Sequence, residues 1–207
     1  MKLYEYEAKR LLRDAGVSVP PGIHIGALSQ FPYALKKLGG PPVFVKAQVL
    51  VGGRGKAGGI RFAKNTEEVK KAVSELLNSI LRTQQGEEEV RSVLIEKPVS
   101  FERELYWSCY IDRDLACAFI LTSYQGGVEI EGLLRSKPEA LLKIPFDPEK
   151  GIKKEDLKRI GEFLQFEDIT VFYDFARKAT KLFKDKDLLL LEINPVSYTH
   201  LTLPTKA

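Results

Sequence analysis

Between two stretches that read as strands, the segment Gly52-Gly53-Arg54-Gly55-Lys56-Ala57-Gly58-Gly59 places five glycines in eight residues. A run of that kind sits badly inside a helix or a sheet, because glycine loses the most backbone freedom on ordering and has no side chain to pack. It forces a loop between a buried-strand pattern at 42–47 and a second strand at 59–63. The loop's backbone can approach a ligand closely, and Arg54 and Lys56 add positive charge, a combination that suits a polyphosphate. No Gly-Lys-Ser/Thr begins a helix here, so it is not a Walker loop. A flexible turn with solvated charges has the same composition.

Around this loop, helix and strand signals alternate. Leu3, Ala8, Leu11, Leu12 and Ala15 recur at helical spacing before a stop at Gly16, and 17–21 reads as a rigid linker into a strand at 22–26. Ser29 is placed to cap a helix running to Leu38, and Thr66 to cap one over 67–81. Strands are expected at 90–98, 104–112, 115–123 and 141–146, with Asp112-Arg113-Asp114 joining two of them as a hairpin. Residues 126–131 read as a loop. Amphipathic helices over 154–164 and 168–184 precede a last strand at 188–193. The pattern indicates an α/β or α+β fold with mixed or antiparallel sheets flanked by helices. A change of character across 96–101 divides it into two subdomains, 1–98 and 99–195.

With 44% hydrophobic and 29% charged residues among 207, the chain has the profile of a globular protein. No apolar stretch approaches the roughly 20 residues that span a bilayer. Met1-Lys2-Leu3-Tyr4-Glu5 lacks the apolar core of a signal peptide, so the cytoplasm is the expected location and no membrane partner is expected. The net charge is only +4, and basic residues alternate with acids, as in Glu155-Asp156-Leu157-Lys158-Arg159. A nucleic-acid binder would gather them into a stripe. Cys109 and Cys117 are too few for a disulfide framework or a metal cluster.

Single residues add chemistry. Lys46 lies in the apolar strand before the loop, and an ammonium taken out of water needs an anion opposite it. Facing the loop, its partner is a ligand phosphate; facing outward, it is an ordinary edge lysine. Glu192 and Asn194, two apart in a strand, project to one face. A carboxylate and an amide oxygen suit a Mg2+ that keeps water and phosphate in its shell, although a strand running into a polar turn before Pro195 looks the same. Glu96 ends one strand and Glu104 opens the next; the strand-end carboxylate beside a linker could accept from a ribose or an adenine amino group, or be a surface glutamate. His24 sits in a strand without a nearby acid and reads as structural. No Ser-His-Asp or Cys-His arrangement can be assembled.

Several segments then fall into a family order: Leu3-Tyr4-Glu5-Tyr6-Glu7-Ala8-Lys9, Val45-Lys46-Ala47-Gln48, Gly53-Arg54-Gly55-Lys56-Ala57-Gly58-Gly59, Glu102-Arg103-Glu104-Leu105-Tyr106, Gly126-Gly127-Val128-Glu129-Ile130-Glu131 and Leu191-Glu192-Ile193-Asn194-Pro195. Over residues 1 to about 195 the chain resembles the β subunits of succinate–CoA ligases. The resemblance implies an ATP-grasp fold, in which two subdomains hold a nucleotide between them, ATP or GTP with Mg2+. It implies Lys46 at the α- and β-phosphates, and Gly53, Arg54 and Gly55 along the phosphates. Glu96 would meet the adenine or ribose side, Val99 the base through its backbone, and Glu104 the ribose or phosphate region. Glu192 and Asn194 would hold Mg2+. A separate α subunit would carry the CoA site and a histidine that becomes phosphorylated, for reversible formation of succinyl-CoA from succinate and CoA. A malate–CoA ligase β subunit shares this architecture, and a nucleotide-binding module without catalysis of its own would keep the same loop.

The family's β subunits continue for a further domain (about 150 residues at the usual domain size) and carry another Mg2+ ligand, an aspartate, shortly after their Asn-Pro. Neither has a counterpart here, so the chain is expected to be a truncated β subunit, inactive alone. Residues 196–207 continue no core pattern and resemble the translation of a sequencing adapter. They are expected to be a non-native tail in which His200 has no function.

Overall fold

A computed structural model describes residues 1–128, 130–166 and 169–198. Glu129, Asp168 and His200, together with the rest of 199–207, lie outside the described residues. The chain divides into two compact units, one of Met1–Asp14 with Ser18–Val99, the other of Ala15–Val17 with the residues from Ser100 onward.

The first unit is built on a four-stranded antiparallel sheet in the order β1 (Gly22–Ile25), β6 (Val93–Glu96), β2 (Val43–Ala47), β3 (Ile60–Ala63). In β2, Val43, Val45 and Ala47 are buried while Phe44 and Lys46 alternate to the other face. The buried set packs with Ile95 of β6 against α2 (Phe31–Leu38) and α3 (Thr66–Leu76), whose Ala34, Leu35, Val69, Val73 and Leu76 complete the core. The opposite face carries Lys46, Glu96 and His24, and receives α1 (Glu5–Asp14).

Several local expectations need correction. Helix α3 is capped by Asn65, whose side chain accepts from the Glu68 N–H at 2.9 Å, not by Thr66. It stops at Leu76 rather than Leu81, because Leu77 turns extended and Asn78 adopts φ +60°. Residues beyond form a hairpin, β4 (Ile80–Thr83) with β5 (Gly86–Glu89), which the sequence reading missed. Ser29 caps nothing; it lies in a 3-10 turn (Leu28–Gln30), and α2 begins at Phe31.

In the second unit the antiparallel order is β10 (Leu190–Tyr198), β7 (Arg103–Asp112), β8 (Cys117–Ser123), β9 (Leu141–Phe146). Tyr106 and Trp107 are both buried on opposite faces of β7. On one face Tyr106 and Leu121 meet Ile130 and Leu133 of α4 (Ile130–Ser136), a helix where the sequence reading placed the end of a loop. On the other, the Trp107 ring meets Phe172 and Phe175 of α6 (Ile169–Asp185) edge-on, at 5.6 and 5.5 Å between centroids. Helix α5 (Lys154–Phe163) approaches α6 closely: a Cβ on Gly161 would collide with the Ile169 side chain. The last strand does not end at Ile193. After a bulge between Ile193 and Val196, β10 continues with Val196, Ser197 and Tyr198 opposite Leu105, Glu104 and Arg103, so the first three residues of the expected foreign tail pair in the sheet.

Trp107 is 1% exposed and is the chain's single tryptophan. Trp107→Ala is expected to cost about 3–5 kcal/mol by emptying the space between β7 and α6, and Trp107→Phe clearly less. Urea titrations followed by far-ultraviolet circular dichroism check this ranking; equal losses would mean that the ring does not fill that core.

Candidate functional site

On the α1 side of the first unit's sheet, five charged side chains converge. Glu5 accepts from Lys9 Nζ at 2.7 Å and Lys46 Nζ at 3.3 Å, and pairs with an Arg54 Nη2. Glu96 pairs with both Lys9 and Lys46. Glu96 is 3% exposed and the other four 16–19%, so water does little to screen them. Burial alone would raise the Glu5 pKa, but Arg54, Lys9 and Lys46 outweigh it and hold the carboxyl far below its usual range. At Lys46 burial disfavours the ammonium, yet Glu5 and Glu96 more than compensate and its pKa rises. Lys46 lies in the second of the sheet's inner strands and turns toward α1, with Glu5 and Glu96 as the anions opposite it.

The glycine-rich loop is folded onto this cluster. Arg54 Nη1 donates to the Ala47 carbonyl at 3.0 Å. The N–H groups of Ala57, Gly58 and Gly59 are taken up inside the loop by the carbonyls of Gly53, Gly55 and Arg54. Among the described residues, the N–H groups of Gly53, Arg54 and Gly55 have no acceptor. Gly53 and Gly58, at φ +76° and +77°, need the left-handed backbone that glycine adopts without strain. Gln48, 1% exposed, joins β2 to α1 by accepting from the Tyr6 N–H at 3.1 Å.

Beside Glu96 opens a cleft of about 170 Å3 lined by Tyr6, Lys9, Arg13, Pro20, His24 and Leu94 among others. His24 stacks on Tyr6 at 3.8 Å between centroids, and burial lowers its pKa although Glu7 opposes this. An acid is therefore near His24 in space, where the sequence reading found none. Val99 ends the first unit and is 41% exposed.

In the second unit, Glu104, Tyr106, Ser108 and Glu192 share one face of the β7–β10 pair. Loss of solvation and repulsion from Glu131 raise the Glu192 pKa. Burial, with Glu192 and Glu131 adding to it, pushes the Tyr106 hydroxyl up to about 12. Asn194 leaves the strand at the bulge: its Oδ1 accepts from the Gly127 N–H at 2.7 Å and its Nδ2 donates to the Val128 carbonyl at 3.0 Å. A Cβ on Gly127 would stand 2.8 Å from Glu104 Oε2, so that residue's smallness brings Glu104 against the same turn. Glu192 and Glu131 are near enough to repel, so burial first and Glu131 second disfavour the Glu192 carboxylate. No group of three or more His, Cys, Asp or Glu placed for a metal occurs among the described residues. A divalent cation held here would need water or ligand oxygens to complete its shell. Cys109 and Cys117 are free, and burial pushes the Cys109 thiol up to about 12, which leaves it unreactive.

The ATP-grasp domain family matches residues 2–198. This chain belongs to it. The ATP-grasp chain is 38% identical over 204 residues to the ADP-forming succinate–CoA ligase β subunit of Desulfatibacillum aliphaticivorans, covering 96% of this chain and 53% of that one. With its Ignicoccus hospitalis counterpart it shares 37% identity over 201 residues, 96% of this chain and 52% of the relative. It spans about half the length of the curated relatives it matches. Among solved structures, an ATP citrate lyase from Methanothrix soehngenii superimposes with a TM-score of 0.68 at 21% identity, over 96% of this chain and 47% of the lyase. A dinucleotide-forming acetyl-coenzyme A synthetase from Candidatus Korarchaeum cryptofilum gives 0.73 at 19%, over 95% and 87%. At those identities the likeness is one of fold. No helix among the described residues is long and apolar enough to cross a membrane.

Of the residues singled out by sequence, Lys46, Arg54 and Glu96 meet in one ion cluster, with Gly53 and Gly55 in the loop folded over it; Glu104, Glu192 and Asn194 gather in the second unit. Glu5 and Lys9 were given no role. Their i, i+4 spacing reads as a solvated helix face, and nothing local distinguishes it from one that docks on a sheet. Because Glu5's pKa is depressed on folding, the ionised state stabilises the protein above the unfolded value near about 4.3. That contribution fades as the pH falls below it. Glu5→Gln is therefore expected to destabilise more at pH 7 than at pH 3, as measured by urea titration at both. An unchanged difference would remove Glu5 from the cluster.

Proposed function

We propose that this chain is the nucleotide-binding portion of a succinate–CoA ligase β subunit, taking ATP or GTP with Mg2+. The observation that carries the reading is the convergence of Lys9, Lys46 and Arg54 beneath a loop whose Gly53, Arg54 and Gly55 N–H groups lack acceptors. Backbone N–H donors and fixed cations together suit polyphosphate oxygens. The names of the relatives at 37–38% identity support succinate as the acid.

In this reading Lys46 holds the α- and β-phosphates, and Gly53, Arg54 and Gly55 lie along the chain of phosphates. Glu96 accepts from the adenine or ribose side, Val99 meets the base through its backbone, and Glu104 stands by the ribose or phosphates. Glu192 and Asn194 would hold Mg2+, which when bound neutralises charge on the phosphate oxygens. Phosphoryl transfer proceeds through spread negative charge, so Lys46 and Arg54, already fixed in place, act by electrostatic preorganisation. The acceptor is a histidine on a separate α subunit that also carries the CoA site; phosphoryl then passes to succinate, and succinyl-CoA forms reversibly.

Lys46→Ala is expected to weaken MgATP binding about tenfold or more, since a charge-assisted contact is worth roughly 1.5–3 kcal/mol. Lys9 is no control, because it shares Glu5 and Glu96 with Lys46; the exposed Lys70 is one. Titration calorimetry on the two alanine variants decides. Equal affinities would take Lys46 out of the site, and no binding of MgATP to the parent chain would sink the reading. With MgATP, succinate and CoA but no α subunit, the chain is expected to form no succinyl-CoA, because the histidine that takes the phosphoryl group lies elsewhere; CoA-dependent ATP consumption by the purified chain would overturn that.

A further inference from the structure

Strand β5 faces water at Gly86, Glu87 and Glu89, and only Glu88 turns inward, half-buried. Its Oε2 accepts from the N–H groups of Leu50 at 2.6 Å and Val51 at 3.3 Å. The next N–H, that of Gly52, donates to Gln85 Oε1 at 3.1 Å. Three successive backbone donors at the root of the glycine-rich loop are thus satisfied by side chains of one hairpin. The same hairpin presses on the loop's far end: a Cβ on Gly59 would lie 2.8 Å from Leu81 Cδ2 on β4. The three donors that follow the root, on Gly53, Arg54 and Gly55, have no acceptor among the described residues.

We propose that Glu88 is a positioning residue for the glycine-rich loop: by anchoring Leu50 and Val51 it fixes the direction in which the Gly53–Gly55 donors point, and so preorganises them for a polyphosphate. The ligand in this statement rests on the nucleotide reading above, whereas the anchoring does not. One carboxylate oxygen accepting two adjacent N–H groups is an anion in a backbone nest. A charged acceptor makes each bond stronger than a neutral one would. An unanchored loop of this glycine content would have to be ordered at the moment of binding, and that entropy would come out of the affinity.

Three variants separate reach from charge. Glu88→Gln keeps an acceptor oxygen at the same distance without the charge. Glu88→Asp keeps the charge but withdraws it by one methylene, and Glu88→Ala removes both. Hydrogen exchange without nucleotide is expected to quicken across residues 50–58 in the alanine and aspartate variants, with little change in Glu88→Gln and none in the second unit. MgADP affinity by calorimetry should fall about tenfold for Glu88→Ala, the size of one or two hydrogen bonds, nearly as much for Glu88→Asp, and only about two- to threefold for Glu88→Gln, which keeps its acceptor. The proposal is overturned if Glu88→Gln loosens the loop as much as Glu88→Ala while Glu88→Asp does not, which would make charge the determinant. It is equally overturned if exchange rises at Leu50 and Val51 alone and affinity holds. Should the parent chain bind no MgADP, the nucleotide reading falls by itself, and exchange across 53–58 still decides whether Glu88 anchors the loop.

Discussion

The carboxylate of Glu5, enclosed by Lys9, Lys46 and Arg54, ties a helix, a central strand and a flexible loop to one point. Charges this poorly exposed tolerate their position because each has a partner; removing one partner leaves another stranded, and that is far more costly than the pair is favourable. Helix α1 is held to the sheet by this means. It contributes few apolar contacts, with Leu12 its single fully buried residue. Tyr6 against His24, and the Tyr6 N–H on Gln48, supply the rest of its seating. Because Glu5 and Glu96 each hold two or more cations, the network couples: moving Lys9 alters what Lys46 and Arg54 feel.

The second unit solves a different problem by packing. Trp107 fixes the height of α6 over β7, while one residue earlier Tyr106 closes the face under α4. The strand beside β7 departs from regular pairing between Ile193 and Val196, opposite the buried Leu105, Tyr106 and Trp107. The departure turns Asn194 toward the Gly126–Val128 turn, where its carboxamide bonds both Gly127 and Val128. A regular strand would have left Asn194 pointing from the sheet with neither bond.

What the sequence disclosed follows the same physics. The glycine-rich loop, the lysine in an apolar strand and the long hairpin of β7 and β8 were legible, since each is written in local composition or alternation. Helix α3 was legible as a helix but read five residues too long, because Leu77 to Leu81 keeps an apolar rhythm and the positive φ at Asn78 has no signal beyond the residue type. The β4–β5 hairpin was invisible: Gly86-Glu87-Glu88-Glu89 has no alternation, and of its three side chains that of Glu88 reaches the glycine-rich loop's root. Helix α4, seven residues long, has too few turns for a period to show, and Ile130 and Leu133 become buried through contacts with Tyr106 and Leu121 that lie far along the chain. Residues 196–198 lack a core pattern of their own, yet β7 extends to Arg103 and offers them paired backbone. Element ends set by a neighbouring strand cannot be read from the strand that follows it.

The charge balance at Glu5 also bears on what the cluster can accept. Three cations against Glu5 and Glu96 leave one positive charge, which by itself is a weak attraction for a polyphosphate. Donor capacity decides more than the sum. A guanidinium has five N–H donors and an ammonium three. Arg54 uses its Nη1 on the Ala47 carbonyl and its Nη2 on Glu5, and Lys46 is shared between Glu5 and Glu96. Both side chains therefore hold their present partners with donors to spare. A phosphate oxygen can be added to such an arrangement without unmaking it. Under the proposed function, the carboxylates that position the cations would also set a ceiling on affinity, since every phosphate gained is held against the repulsion of Glu5. On the same reading, such a site gives up some tightness for cations that need no rearrangement when charge develops, the property that phosphoryl transfer rewards.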